Sequence, residues 1–260
     1  MSLVNTDWLV KNLNKVKIID CSWHMPQTKR NGLEEYNKEH ILGAIFFDLD
    51  DNSKKNTKLP HMLTTKNLWE KIVSNMGIKN KDEIVVYDNS DVISSCRCWY
   101  NFIYFGHDPK LIHVLDGGLE KWKNEKKPTT NVLDKVLKTN YKVTEKKELV
   151  KNKEEIDKNI FTKDFKVIDA RSRERFHGKM PEPRKGLRSG SIQNSFCLPF
   201  LELINKDGTF LKKDKILKKF KSINCDLDEN LVFSCGSGVT ASVLALAYSL
   251  IDNKYMPKIY

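Results

Sequence analysis

Short apolar runs, each closed by a polar residue, recur along the chain. They include VKIIDCSW from residue 16, EIVVYDNS from residue 83, FKVIDARS from residue 165 and NLVFSCGS from residue 230. Runs of this length that end in turn residues predict buried strands. Between them lie segments with apolar residues at helical spacing, such as TTKNLWEKIVSNMG and KDKILKKFKSI. Strands that alternate with helices predict an α/β fold around a mainly parallel sheet, with ligand loops at the carboxyl ends of the strands.

Three pairs of these segments match at a nearly constant separation. VKIIDCSW resembles FKVIDARS, and Asp20 and Asp169 are 149 residues apart (169 − 20). HILGAIFFDL resembles SIQNSFCLPF at a separation of 151 residues (191 − 40). EIVVYDNS resembles NLVFSCGS, and Asp88 lies 147 residues before Cys235 (235 − 88). Because a fixed separation is the signature of a repeat, the sequence predicts a duplicated fold in which Asp88 takes the place of the thiol.

The stretch between the repeats has a different composition. Residues 124–160 are rich in Lys, Asn, Glu and Thr, and Pro128 lies near their start. Such a composition is typical of a connecting segment, although KKELVKNKEEI keeps the spacing of a short amphipathic helix. We therefore predict a first domain over residues 1–130, a partly helical linker over 131–160 and a second domain over 161–260.

The charge balance narrows the class of partner. The 260 residues carry a formal net charge of +11, but the lysines are dispersed among Asn and Glu, as in KKELVKNKEEIDKN. No aromatic and basic platform and no zinc-finger spacing accompany them. The pattern favours a solvated surface over nucleic-acid binding, with the steering of small anionic substrates as the remaining alternative.

The chain shows no membrane or secretion signal. No apolar run reaches the roughly 18 residues of a membrane span, and the start MSLVNTDWLVKN lacks the basic-then-apolar order of a secretory signal. We expect a cytoplasmic protein without a membrane partner, and a mitochondrial location stays open. The chain has six cysteines, at positions 21, 96, 98, 197, 225 and 235. Without a C-x-x-C pair they predict reduced thiols, with Cys96 and Cys98 in the core, and neither a disulfide framework nor a zinc site.

One cysteine has a distinctive setting. Cys235 follows the apolar strand LVFS and opens CGSGVT, after which VTASVLALAYSLI has the character of a buried helix. Gly236 and Gly238 permit a tight turn whose backbone amides point at the sulfur, and the start of a helix also favours an anion. This setting favours the thiolate, which is the reactive form of cysteine. A buried structural cysteine beside a flexible loop is the alternative.

Several segments together resemble the tandem-rhodanese family, and within it the 3-mercaptopyruvate sulfurtransferases. CGSGVTA is similar to the active-site loop, and the other landmarks occur in order as DCSWHMP, PHMLT, FGHDPKLIHVLDGGLEKW and DARSRERFHGKMPEPR. The resemblance implies two rhodanese-like α/β domains with the nucleophile only in the second. It also implies that Cys235 carries sulfur from 3-mercaptopyruvate, as a persulfide, to cyanide or to a thiol such as thioredoxin or a small thiol, without a cofactor or a metal.

The same resemblance assigns roles to individual residues. Arg175 and Arg184 match the positions that bind the substrate carboxylate, for which a planar, permanently charged guanidinium is suited. Ser237, His61 and Asp50 match positions that polarise the carbonyl or relay a proton, although a packing role is a serious alternative for His61. The FFDLD register selects Asp50 over the neighbouring Asp51. The remaining substrate-binding residues are those of the loop, namely Gly236, Gly238, Val239 and Thr240.

Some features depart from the family or favour another class of protein. The turns HILGA and SIQNS lack the usual proline, and the second half stops at PKIY where the family continues into a helix, so we expect a missing C-terminal helix. A related phosphatase needs an arginine six residues after the cysteine, where this chain has Ala241. The alternatives are a thiosulfate:cyanide sulfurtransferase and a non-catalytic rhodanese-like interaction module.

Overall fold

The computed structural model describes residues 2–184, 186–251 and 256–260. The chain divides into two compact units. The first unit runs to Lys146 and also includes Lys206–Thr209, and the second comprises Lys147–Asn205 and Phe210–Tyr260. Each unit has its own parallel sheet.

The first unit contains a five-stranded sheet and five α-helices among its described residues. In chain order its elements are β1 Leu3–Val4, α1 Thr6–Asn12, β2 Lys17–Asp20, α2 Gly32–Lys38, β3 His40–Ile41, β4 Ala44–Phe46, α3 Lys66–Asn75, β5 Ile84–Tyr87, α4 Ser95–Tyr104, β6 Ile112–Leu115, α5 Gly118–Asn124 and β7 Thr129–Thr130. The sheet order is β1-β6-β5-β2-β4, with every neighbouring pair parallel. Strands β3 and β7 form a separate antiparallel pair.

The second unit is built in the same way. Its elements are α6 Lys153–Thr162, β8 Lys166–Asp169, α7 Arg173–Phe176, β9 Phe196–Cys197, α8 Lys213–Lys221, β10 Leu231–Ser234, α9 Val239–Ile251 and β11 Lys258–Ile259. The four strands form a parallel sheet in the order β11-β10-β8-β9. The helix predicted over VTASVLALAYSLI coincides with α9.

The two sheets correspond strand by strand and residue by residue. The order β6-β5-β2-β4 in the first unit matches β11-β10-β8-β9 in the second. The hydrogen-bonding register pairs Asp20 with both Tyr87 and Phe46, and it pairs Asp169 with both Ser234 and Cys197. Equivalent residues are therefore 149, 147 and 151 apart (169 − 20, 234 − 87 and 197 − 46), the separations found in the sequence. The predicted α/β fold with two tandem domains is confirmed.

Helices α4 and α9 follow equivalent strands and are the most enclosed helices of their units. Every residue of α4 is buried, and α9 is buried along most of its length. A helix as uniformly apolar as α9 is stable only inside a core. Helix α3 shows the contrasting amphipathic pattern, since Thr65 caps its start and Trp69 and Val73 are its buried apolar residues. The buried helices fix the loops that precede them, and these loops lie at the carboxyl ends of β5 and β10.

Part of the predicted linker over 131–160 behaves differently from a connecting segment. Residues 131–146 belong to the first unit and contain no helix or strand. The side chain of Tyr141 is buried, and its backbone N–H donates to Ser74 Oγ at 2.9 Å. The N–H of Thr144 donates to the carbonyl of Phe105 at 3.2 Å. The polar composition of the segment does not predict these contacts, because only a few buried residues attach the segment to the first unit.

Helix α6 begins inside the predicted linker. Asn152 caps it, since its side chain accepts the N–H of Glu155 while the Glu155 side chain accepts the N–H of Asn152. This reciprocal capping box stabilises a helix start. At the other end of the unit, β11 pairs with β10 as β6 pairs with β5.

In the first unit Asp88 follows β5, as Cys235 follows β10 in the second. Its carboxylate is buried and accepts the N–H of Ser90 at 3.0 Å and that of Ser95 at 3.3 Å. Burial raises the pKa of Asp88 to about 6, although these hydrogen bonds act in the opposite direction. Near neutral pH the first unit thus holds an anionic group on backbone amides at the place of the nucleophile.

Replacing Asp88 by Asn tests this burial. The pKa of Asp88 is higher in the folded state than in the unfolded state. The protonated carboxyl group therefore contributes to the free energy of unfolding below about pH 4, and this contribution is lost as the pH rises through about 6. Asp88→Asn does not suffer this loss. We expect its stability relative to the parent to rise by roughly 1 kcal/mol between pH 5 and pH 7, a relative Tm gain of about 2–4 °C.

Thermal unfolding at several pH values measures this difference. Asp51→Asn, which removes an exposed carboxylate of the same unit, controls for the loss of one acidic group. A difference between Asp88→Asn and the parent that stays constant from pH 5 to pH 7 would contradict the account.

Candidate active site

Cys235 lies between the last residue of β10 and the first turn of α9. The backbone N–H of Gly238 points at the sulfur, with 3.1 Å between the nitrogen and Sγ. Gly238 has φ +78°, a left-handed conformation that favours glycine, so the turn that aims this amide depends on that residue. Amides directed at a sulfur stabilise negative charge on it.

The other five cysteines have a different environment. All are buried, whereas Cys235 is partly exposed. Burial raises the pKa of Cys197 to about 11 and that of Cys225 to about 12, and it raises the pKa values of Cys21 and Cys96 well above the usual range. Buried thiols of this kind stay protonated and inert. Cys235 is the cysteine that a substrate can reach.

Two arginines lie beside the loop. Arg184 Nη2 donates to the carbonyl oxygen of Gly236. A Cβ atom built on Gly236 would lie 3.3 Å from Arg184 Nη2 and 3.5 Å from Arg175 Nη2. The missing side chain of Gly236 therefore keeps open the space in front of both guanidinium groups, next to the nucleophile.

A buried carboxylate holds one of these arginines. Glu182 Oε1 accepts from Arg175 Nε at 3.1 Å, and Glu182 Oε2 accepts from Arg175 Nη2 at 2.6 Å. Glu182 Oε1 also accepts from Arg171 Nη1 at 2.7 Å, and Arg171 in turn binds both carboxylate oxygens of Asp169. Burial alone would raise the pKa of Glu182, but the hydrogen bonds and charges of Arg175 and Arg171 outweigh it and leave this pKa below its usual value.

The remaining predicted loop residues share the start of α9. Ser237 is half-buried in the turn, Val239 is buried as the first residue of α9, and Thr240 is half-buried behind it. Together with Cys235, Gly236 and Gly238, they form the continuous turn CGSGVT. The second unit thus brings the predicted nucleophile, the loop and both arginines together.

The first unit contains the predicted His61 and Asp50. His61 Nε2 lies 2.9 Å from Asp50 Oδ1, and Trp23 Nε1 donates to Asp50 Oδ2 at 2.9 Å. The hydrogen bond from His61 lowers the pKa of Asp50, which keeps this carboxylate ionised. Asp50 is thus the aspartate paired with His61, whereas Asp51 pairs with Lys55.

The position of the His61 ring is strongly constrained. The backbone has φ +54°, which is uncommon outside glycine, and its carbonyl accepts from Arg97 Nη2 at 2.6 Å. The indole of Trp23 packs edge-on against the imidazole with 4.7 Å between ring centroids. His61 Nδ1 is buried and has no hydrogen-bond partner among the described residues. Such strain and an unpaired ring nitrogen are typical of functional positions.

The first unit also contains a counterpart of Arg184. Arg30 Nη2 donates to the carbonyl of Asn89 at 2.9 Å, and Asn89 follows Asp88 as Gly236 follows Cys235. Glu35 accepts from Arg30 Nε and from Arg30 Nη2, both at 2.7 Å. Arg30 is therefore fully paired with the carboxylate of Glu35, and the first unit has Asp88 at the position of the nucleophile.

Sequence reasoning missed three residues of these two clusters. Glu182 and Arg171 lie in DARSRERFHGKMPEPR, and Trp23 lies in DCSWHMP, so all three are inside segments that carried the resemblance. A charged Glu between two prolines and close to Arg184 was the available signal for Glu182. Only the fold shows that it pairs with Arg175.

None of the helices in the ranges that the structure describes combines the length and the apolar character needed to span a bilayer. In the same ranges, no group of three or more His, Cys, Asp or Glu residues is arranged to hold a metal ion.

Comparison with known proteins finds relatives that match nearly the whole chain. Residues 5–125 match the rhodanese-like domain family. The mitochondrial thiosulfate/3-mercaptopyruvate sulfurtransferase 1 of Arabidopsis thaliana is 36% identical over 98% of this chain and 73% of its own length. The 3-mercaptopyruvate sulfurtransferase of Mus musculus is 32% identical over 98% of this chain and 88% of its own.

Solved structures show the same architecture. The crystal structure of SseA from Escherichia coli, a 3-mercaptopyruvate sulfotransferase of rhodanese fold, superposes with a TM-score of 0.90 at 27% identity. The superposition covers 100% of this chain and 98% of that one. Taken with the relatives above, it shows that the chain belongs to the tandem-rhodanese sulfurtransferase family.

Proposed function

We propose that the protein transfers sulfane sulfur from 3-mercaptopyruvate to a thiol or cyanide acceptor through a persulfide on Cys235. The observation that carries the proposal is the loop itself. The sulfur of Cys235 accepts the N–H of Gly238, and two guanidinium groups flank the space beside Gly236. A nucleophilic sulfur and a carboxylate site lie together, as a small sulfur donor with one carboxylate requires.

The reaction has two sulfur transfers. The Cys235 thiolate attacks the sulfur of 3-mercaptopyruvate, so that an S–S bond forms while the C–S bond breaks and its electron pair leaves with the pyruvate enolate. The enolate takes up a proton and becomes pyruvate. An acceptor thiolate then attacks the outer sulfur, and cleavage of the S–S bond restores the Cys235 thiolate.

We assign Ser237, His61 and Asp50 the role of polarising the substrate carbonyl or relaying a proton to the enolate, as the resemblance to the family implies. A carboxylate can only accept, so His61 Nε2 carries the hydrogen directed at Asp50. In the neutral ring, Nδ1 is then the atom that can take up a proton, which the relay would pass on to the enolate. Ser237 supplies a hydroxyl within the loop of the nucleophile.

The identity of the donor follows from the charges of the loop. CGSGVT contains no cationic side chain, so a compact dianion such as thiosulfate gains no direct ion pair there. Arg175 and Arg184 suit a carboxylate placed beside the sulfur. Transfer from thiosulfate is the second candidate, which the name of the Arabidopsis relative favours. A non-catalytic module is disfavoured because the cysteine and both arginines are retained.

The acceptor and location belong to the same proposal. We assign the acceptor role to a thiol such as thioredoxin or a small thiol, and we propose that the protein has no nucleic-acid or membrane partner. We propose a cytoplasmic location, with a mitochondrial location as the alternative that the name of the Arabidopsis relative favours. The dispersed lysines and the relatives' donors support a small-anion substrate.

Cys235→Ser should abolish the release of pyruvate from 3-mercaptopyruvate, because an alcohol at this position cannot form the persulfide. Cys197→Ser is the matched control, since this buried thiol should be dispensable for turnover. A coupled assay of pyruvate formation measures both variants. Substantial pyruvate formation by a folded Cys235→Ser variant would refute the proposal.

Arg175→Ala and Arg184→Ala should raise the KM for 3-mercaptopyruvate by about 10- to 100-fold, since each removes a charge-assisted bond to the carboxylate worth roughly 1.5–3 kcal/mol. Arg173→Ala is the control, because Arg173 lies on the same helix but pairs with Glu202. Steady-state kinetics with a saturating acceptor measure the effect. A KM close to that of Arg173→Ala would remove the tested arginine from the substrate site.

A further inference from the structure

Glu182 is the buried centre of the charge cluster beside Cys235. Its side chain is only 4% exposed, and it accepts hydrogen bonds from Arg175 and Arg171. A single carboxylate is thus shared by two guanidinium groups. The pairing persists near neutral pH because the arginines keep the pKa of Glu182 below its usual value.

The pairing fixes the orientation of Arg175. Glu182 binds the edge of the guanidinium formed by Nε and Nη2. Nη1 and the second hydrogen of Nη2 remain on the other edges, and Nη2 is the atom that lies 3.5 Å from the Cβ position of Gly236. Because the long side chain is already ordered, less conformational entropy is lost when a substrate binds.

The pairing also sets the charge of the site. Arg171, Arg175 and Arg184 contribute three positive charges, and Asp169 and Glu182 contribute two negative charges, which leaves +1 (3 − 2) on these five side chains, the sulfur of Cys235 not counted. Arg184 has no carboxylate partner within the described ranges. A donor with one carboxylate neutralises this cluster, whereas a dianion leaves an uncompensated negative charge next to the thiolate. Uncompensated charge in a partly buried site costs free energy.

In the first unit, too, a glutamate pairs with an arginine next to the loop. Glu35 binds Arg30 through both Nε and Nη2, and Arg30 occupies the place of Arg184. There the carboxylate of Glu35 neutralises the charge of Arg30, the arginine next to the loop. In the second unit Glu182 binds the neighbouring arginine instead, so that one net positive charge remains for an anion.

We propose that Glu182 is a positioning residue that sets the preference for the sulfur donor. It holds Arg175 in place and cancels one positive charge, so that the site accepts donors with a single carboxylate and disfavours compact dianions such as thiosulfate. This role rests on the proposed function of Cys235 as a sulfur carrier.

The direct test is Glu182→Gln, which keeps the size of the side chain and removes its charge. In this variant the net charge of the five side chains becomes +2, and the hydrogen bonds that hold Arg175 become weaker. We expect kcat/KM for 3-mercaptopyruvate to fall about tenfold, mainly through KM, while kcat/KM for thiosulfate stays the same or rises. The ratio of the two values should thus shift toward thiosulfate by about tenfold or more.

Glu202→Gln is the matched control. Glu202 also accepts from two cations, Arg173 at 2.6 Å and Lys219 at 2.9 Å, so the control makes the same change in net charge elsewhere in the unit. Both donors are measured at low and at high ionic strength, because salt screens general steering more than a partly buried contact. A ratio in Glu182→Gln that equals the ratio in Glu202→Gln would overturn the role of Glu182.

A second variant keeps the test decisive if Glu182→Gln does not fold, which thermal unfolding would show. Glu182→Asp retains the charge but withdraws the carboxylate from Arg175. We expect a KM for 3-mercaptopyruvate severalfold above that of the parent and no gain with thiosulfate. An unchanged KM would overturn the positioning role, and a gain with thiosulfate would overturn the charge role.

The outcomes separate this role from the proposed function. If the parent protein forms no pyruvate from 3-mercaptopyruvate, the function itself is wrong and the role of Glu182 falls with it. If the parent is active and the donor ratio of the folded Glu182→Gln variant is unaltered, only the role of Glu182 is wrong.

Discussion

The hydrogen bond from the Gly238 amide to the sulfur of Cys235 is the contact on which the candidate site depends. It requires a strand that ends at Ser234, a glycine in the left-handed conformation and a helix that starts at once. Helix α9 can be apolar on all sides because the core encloses it, and this enclosure fixes the loop. The burial of α9 thus both stabilises the second unit and fixes the environment of Cys235.

The duplication shows what distinguishes an active loop from an inactive one. Both units place a residue directly after the equivalent strand and surround it with backbone amides, but Asp88 supplies its own negative charge there. Its neighbour Arg30 is bound by Glu35, whereas Arg184 has a backbone carbonyl as its partner. At the place of the nucleophile the first unit thus holds a carboxylate in place of a thiol, and the arginine beside this position is already paired with Glu35.

Much of this architecture could be predicted from the sequence because it depends on local patterns. The apolar runs predict the central strands, and the three separations predict that the fold is duplicated, whereas the pairing register within each sheet follows only from the structure. Tyr141 shows the limit, because its burial against the first unit depends on contacts with residues distant in sequence. The same holds for the site: Cys235 is marked by its own loop, whereas the roles of Glu182 and Trp23 depend on which side chains the fold brings to them.

The measurement closest to the central claim is the intact mass of the protein after incubation with 3-mercaptopyruvate and without an acceptor, followed by peptide mapping. The account predicts the addition of one sulfur atom, located on Cys235, removed by a thiol and absent from Cys235→Ser. Sulfur bound to Cys21 or Cys197, or pyruvate released while no sulfur is retained on the protein, would contradict it.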